Sequence, residues 1–219
     1  AGSVNSSAQD YAPTLNNDET VMYFTSRREG STGGFKDNDN KYFEDIWVVE
    51  KVDGEWGVPV NMGGNINTEN HESNIGLSPD ENVLYIYHNE NNGDIYYSER
   101  KNGEWGPIES MGKDINTEYQ ETSIHHSLND SYMFFTSSRP GGQGELDIYV
   151  MRRTKKGKWS NPENLGTTVN TEYSEEGPYF DVENSTLYFS SKGHEGTGGY
   201  ELYKSVWDTL ANPWSEPEH

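Results

Sequence analysis

The chain contains no cysteine, which excludes disulfides and thiolate metal sites and leaves the redox character of its compartment unmarked. It has no apolar run of about 18 residues, the length that would mark a membrane-spanning helix. The opening AGSVNSSAQD lacks the apolar core of a signal peptide; an exported protein whose signal has been removed reads the same way. Cations are scarce. Lys and Arg number 16 against 37 Asp and Glu, for a net charge of −21. Such a surface repels phosphate backbones and anionic bilayers, so neither nucleic acid nor direct membrane insertion is expected. It suits soluble, salt-tolerant or cation-binding roles. Apolar residues are also few, at 31%, but 15 Tyr and 6 Trp bury large areas while keeping a polar edge. With 219 residues the chain can bury roughly 70% of its unfolded surface. The 23 glycines, with many Asn and Ser, suit short strands joined by tight turns.

What the chain does have is a repeat. GNINTENHE at Gly64, GKDINTEYQE at Gly112 and GTTVNTEYSE at Gly166 share one pattern. Each runs into a similar segment: ESNIGLSPDENVLYIYH from Glu72, ETSIHHSLNDSYMFFTS from Glu121 and EEGPYFDVENSTLYFSS from Glu175. DYAPTLNNDETVMYFTS from Asp10 is a fourth copy, preceded by the degenerate joint GSVNSSAQD. A second shared run follows, with DIWVVEK at Asp45, DIYYSER at Asp94, DIYVMRR at Asp147 and ELYKSVW at Glu201. A Trp-plus-Pro run closes each unit, at Trp56, Trp105, Trp159 and Trp214.

The periodicity within a unit is that of strands, with no convincing amphipathic helix. A small-residue strand, a turn such as LSPDE, an aromatic and β-branched strand, a Gly-rich hairpin, a D-I-Y strand and a last strand at the Trp make four strands. Four-strand units of about 50 residues predict β-propeller blades. The expected fold is therefore all-β, one propeller domain over 1–219. Its blades span about 10–61, 72–110, 121–164 and 175–217, with 1–9 as the joint leading into the first. The first unit carries an insertion, Glu29 to Glu44, which should project from one rim. Joining His219 to Ala1 would restore the repeat, so either four blades close into a small ring or four blades come from a larger propeller. Closure is the expectation, because an open fragment exposes a long strand edge.

These residues resemble the TolB-type, WD-like β-propeller repeat. The resemblance rests on Ser78-Pro79-Asp80, on Ser138-Arg139-Pro140-Gly141-Gly142 and on Asp147-Ile148-Tyr149. The W-x-x-P, L-G and I-N-T-E elements are similar to the version found in envelope proteins of the Bacteroidetes group, beside domains such as the OmpA-type peptidoglycan-binding module. Two departures stand out: Glu81 occupies the usual Gly position, and the second unit reads Tyr87-His88-Asn89 where Arg is usual. The resemblance implies a non-catalytic binding or scaffolding module with protein partners in the envelope, and an exported, periplasmic or outer-membrane-associated location.

Candidate site residues follow from position. Asp10, Glu72, Glu121 and Glu175 precede the innermost strand of each blade, and pseudo-symmetry would ring them around one channel mouth. Four unpaired carboxylates there would attract a cation, Ca²⁺ being the natural guest. Alternatively each caps backbone N–H groups, with Asn67, Asn116 and Asn170 fixing the loop. Asp37-Asn38-Asp39-Asn40 has the alternating oxygens of a calcium loop but lacks its Gly and distal Glu. Arg28 with Asp45, Arg139 with Asp147, and Lys192 with Glu201 are expected as intrablade ion pairs across the hairpin. The periodic Trp series should pack. The irregular aromatics Phe35, Tyr42, Phe43, Trp47 and Tyr179, with His125 on an inner strand, are the candidates for a ligand surface. No G-x-S-x-G, H-E-x-x-H or Cys nucleophile is present, and no cofactor is required. The leading expectation is a non-enzymatic binding module. A glycan-binding or glycan-cleaving propeller with an axial site, and a cation-stabilised structural ring, are the alternatives.

Overall fold

A computed structural model describes residues 4–208 and 214–219. Residues 1–3 of the expected first joint and 209–213 of the expected fourth blade lie outside the described residues. The chain is all-β. Four antiparallel sheets follow one another in sequence order as the blades of a four-bladed β-propeller.

Each blade is built from three main strands. These are Asp10–Leu15, Val21–Ser26 and Asp45–Val52 in the first, and Glu72–Leu77, Val83–His88 and Asp94–Lys101 in the second. The third has Glu121–His126, Tyr132–Ser137 and Asp147–Arg152, and the fourth Glu175–Asp181, Thr186–Ser191 and Glu201–Val206. The middle strands are the most apolar and aromatic in sequence, and they carry the core: Tyr23, Phe24, Leu84, Ile86, Phe134, Phe135, Leu187 and Phe189 are buried. Every first strand pairs with its neighbour through a shifted register, as between Tyr11 and Thr14 or between Glu176 and Tyr179. Such a bulge adds an unpaired residue and bends the strand.

The expected fourth strand is reduced to short pieces. In the first blade Glu55–Trp56 and Val60–Asn61 share the outer edge of Asp45–Val52. In the fourth, the described outer edge consists of the isolated bridges Trp207 to Trp214 and Lys204 to Glu218. Proline explains the interruption: Pro59, Pro107, Pro162 and Pro217 have no N–H to give a ladder.

Two compact units divide the chain. The first comprises residues 1–90 and 96–110, the second 91–95 and 111–219. In the first, Tyr23, Ile46, Ile66, Leu84 and Ile86 form a core with Trp105 packed against it. In the second, Phe134, Ile148, Val150, Val169, Phe180, Leu187, Phe189 and Tyr203 do the same, with Trp207 and Trp214 alongside. Trp105 meets the Tyr23 ring edge-on at 5.9 Å, and Trp214 meets Phe134 at 6.3 Å. These two tryptophans therefore pack from one blade onto the one before it.

Candidate functional site

The recurrent polar residues are spent on the joints. In I-N-T-E the aliphatic residue is core, since Ile66, Ile115 and Val169 are all buried. The Asn side chain then acts as a strand edge. Asn170 accepts from the Ile148 N–H at 2.8 Å and donates to the Ile148 carbonyl at 3.0 Å. Asn67 does the same to Ile46 and Asn116 to Ile95. The Ile of D-I-Y is thus gripped by the Asn of the next joint. Each joint turns at a glycine with positive φ (Gly63, Gly112, Gly166), whose carbonyl accepts from that Asn N–H.

The four acids have the same local role. Glu121 accepts from the Thr117 N–H at 2.9 Å, the Thr117 hydroxyl at 2.8 Å and the Ser137 hydroxyl at 2.5 Å. Glu175 accepts from Thr171 and Ser191, and Asp10 from Ser6 and Ser26. Glu72 accepts from Thr68 and faces His88 Nε2 at 3.1 Å, so His88 stands where the other blades have Ser. Each carboxylate is taken up within its own joint. These bonds are the capping role expected as the alternative to a Ca²⁺ ring.

The hairpin ion pairs are also redirected. Arg28 pairs with Asp10 at 2.7 Å and not with Asp45, and Arg139 approaches Glu121 at 3.6 Å and not Asp147. Both arginines curl back over the end of their own strand, donating to Ser26 and Ser137 respectively. The D-I-Y acids are occupied elsewhere. Asp45 accepts from the Thr32 N–H and hydroxyl and from Asn61, and Asp147 from the Gln143 and Gly144 N–H groups. Glu201 likewise accepts from Thr197, while Lys192 lies over the Tyr200 ring at 4.5 Å. These acids fix the hairpin backbone. Burial raises the Asp45 carboxyl above its ordinary pKa, against the hydrogen bonds from Thr32 and Asn61.

The asymmetric features fall in two places. In the first unit the insertion folds back as a small hairpin, with Lys36 bridged to Tyr42 and Asn40 turning at positive φ. Arg27 anchors it from beneath. Its guanidinium donates to the Tyr42 carbonyl at 2.7 Å, to Asp37 at 2.6 Å and to both oxygens of Asp39 at 3.2 Å. Phe43 stacks on His71 at 4.0 Å, Lys36 lies over Tyr42, and Phe35 remains 47% exposed. The run Asp37 to Asn40 is therefore an arginine-bound turn; nothing in its spacing named Arg27 as the partner. Beside it lies a cavity of about 320 Å³ lined by Tyr11, Asp37, Glu44, His71, Ser73 and Asn89, among others. Burial and the Glu44 charge raise the Tyr11 hydroxyl above its ordinary pKa.

In the second unit His125 and Tyr179 come together on neighbouring inner strands, with ring centroids 4.7 Å apart. Tyr179 is 48% exposed. Burial lowers His125 to about 4, so it is neutral at pH 7, and its Nε2 is buried without a partner. Trp47 lies in neither place: it is buried in the first-blade core with Phe24 and Val49.

The class this geometry defines is an all-β, four-bladed propeller with one elaborated blade. No family model and no protein of curated function matches the sequence. Solved structures do match. A putative TolB from Agrobacterium tumefaciens gives a TM-score of 0.60 at 16% identity, over 92% of this chain and 62% of that one. An α-L-arabinofuranosidase from Lactobacillus brevis gives 0.57 at 14% identity, over 96% and 74%. A gluconolactonase from Xanthomonas campestris gives 0.54 at 14% identity, over 88% and 55%. The chain spans less than two thirds of the TolB structure, and at these identities the likeness is one of fold. Among the described residues no helix is long and apolar enough to cross a membrane.

Proposed function

We propose that the chain is a non-enzymatic binding module that makes protein–protein contacts in a bacterial cell-envelope assembly, in the periplasm or at the outer membrane. The observation behind this reading is the first-blade insertion. It is one added hairpin on an otherwise regular repeat, held rigid by the buried Arg27 and presenting Phe35 to solvent. A pre-organised, asymmetric surface loses little entropy on binding. The TolB-type likeness of the repeat, and of the three-dimensional fold, supports it. The recurrent acids, being committed to joints and hairpins, leave no repeated constellation free for chemistry. A photo-crosslinking residue placed at Phe35 tests the reading in envelope extracts. It expects one defined protein adduct, absent when the probe is moved to Val58. A chain that crosslinks to nothing but turns over a glycan would sink it.

A second reading, a glycan-binding or glycan-cleaving propeller, is favoured by the half-exposed Tyr179 beside His125, a surface on which a sugar ring can stack. Arabinofuranosidases occur among the fold's relatives. Titration with arabino-oligosaccharides, followed by Tyr179→Ala, decides it: saturable binding lost in the variant supports it, and no binding removes it.

A further inference from the structure

The insertion and the following joint bring three metal-ligating side chains together. Asp37, Glu44 and His71 each offer one ligand atom, all within 4.8 Å of one another. Asp37 and Glu44 come from the two arms of the insertion, and His71 from the joint before the second blade.

His71 is the informative residue. Both ring nitrogens face carboxylates: Nδ1 contacts Glu44 Oε2, and Nε2 lies 3.6 Å from Asp37 Oδ1. A neutral imidazole has one N–H and one lone pair. One carboxylate therefore meets a lone pair unless a second proton or a metal ion lies between them. The ring is held in place by its stacking on Phe43. Arg27 engages Asp37 Oδ2 and Asp39, which leaves Asp37 Oδ1 and Glu44 Oε2 turned toward the imidazole. Arg27 also lies 3.7 Å from Glu44 Oε1, and Lys41 lies 3.4 Å from Asp39. The adjoining cavity of about 320 Å³ is large enough for water or a ligand group to complete a coordination shell.

We propose that Asp37, Glu44 and His71 bind a divalent transition-metal ion of the Zn²⁺ type, with the remaining coordination positions open to the cavity. Imidazole with carboxylates suits zinc, whereas Ca²⁺ takes shells of oxygen alone. Three protein ligands with one open position is the arrangement of zinc sites that bind water or a substrate group. The bound ion would also tie the insertion to the joint. The site stands whether or not the insertion is a partner surface.

Chelator-treated full chain is titrated with Zn²⁺ at pH 7.5 by calorimetry, with metal content measured after gel filtration. The expected result is one Zn²⁺ per chain, with affinity falling at least about tenfold in Glu44→Gln and in His71→Gln, and unchanged in His194→Gln. Absorption-edge spectroscopy should report one imidazole with oxygen ligands. Absence of stoichiometric zinc, or binding that persists in His71→Gln, overturns the site. Should the variants unfold, paramagnetic Co²⁺ added to the unmodified chain must broaden resonances around His71 and Phe43; broadening elsewhere alone also overturns it.

Discussion

Thr171 holds Glu175 twice: its backbone N–H and its hydroxyl donate to the two carboxylate oxygens at 2.8 and 2.7 Å. The same box recurs as Thr117 with Glu121 and Thr68 with Glu72. Glu175 is fully buried, so its charge is tolerated only through these bonds and that from Ser191. Glu175→Gln is expected to lower stability by about 1–3 kcal/mol, and Thr171→Val by about 1–2 kcal/mol. Urea denaturation of the whole chain reads both. Unchanged midpoints would show that the joints do not depend on the box.

Gly144 is required by space. A Cβ there would sit 2.4 Å from the carbonyl oxygens of both Thr171 and Tyr173. Neither is the movable end of a side chain, so Gly144→Ala should cost about 1–3 kcal/mol through backbone displacement. Gly54→Ala is not a control, because its φ is positive. Gly64, with open space and no positive φ, serves instead, and Gly64→Ala should leave the thermal midpoint nearly unchanged.

Arg27 ties the insertion to the first blade through five acceptor residues: Gln9, Asp37, Asp39, Lys41 and Tyr42. Arg27→Ala removes this anchor and should free the hairpin, which offers trypsin Lys36 and Lys41. Cleavage there is expected to accelerate at least about tenfold, as local opening becomes easier by one or two kcal/mol. Mass spectrometry of the early fragments checks it. Equal cleavage rates would show that the insertion holds its own shape.

His125 gives a pH dependence of definite sign. Burial sets its folded value at about 4, with the charge of neighbouring His126 adding and a hydrogen bond to the Phe180 carbonyl opposing. The unfolded chain binds this proton near pH 6.5. Its contribution to stability is therefore fully present above about pH 6.5 and is lost as pH falls toward 4. The loss reaches about 3 kcal/mol at most. His125→Gln should flatten the stability profile across that window. A profile equally steep in the variant would assign the acid sensitivity to other groups.

The blades were legible because their signals are local. VMYFTS, VLYIYH, YMFFTS and TLYFSS are short β-branched and aromatic runs bounded by turns at fixed offsets, and the bulged first strands leave that pattern intact. The insertion was legible as an interruption of it. The sites were less so. Asp10, Glu72, Glu121 and Glu175 showed themselves as equivalent, but equivalence does not say whether carboxylates face one another or their own loops. Thr68, Thr117 and Thr171, four residues earlier in each motif, were the available signal for the second outcome. Asp37 and Glu44 could be seen in the insertion, while His71 belonged to a joint and carried no mark of meeting them.

The sequence by itself determined that this is a chain of four blades, because strand period and turn chemistry are written over a few neighbouring residues. Tertiary structure alone decided the pairings. Asn170 reaches Ile148 from 22 residues away, and Arg28 turns to Asp10 while Asp45 binds Thr32. His71 meets Glu44 across 27 residues. Such partners depend on where side chains point at strand ends and turns, a geometry that linear spacing does not encode.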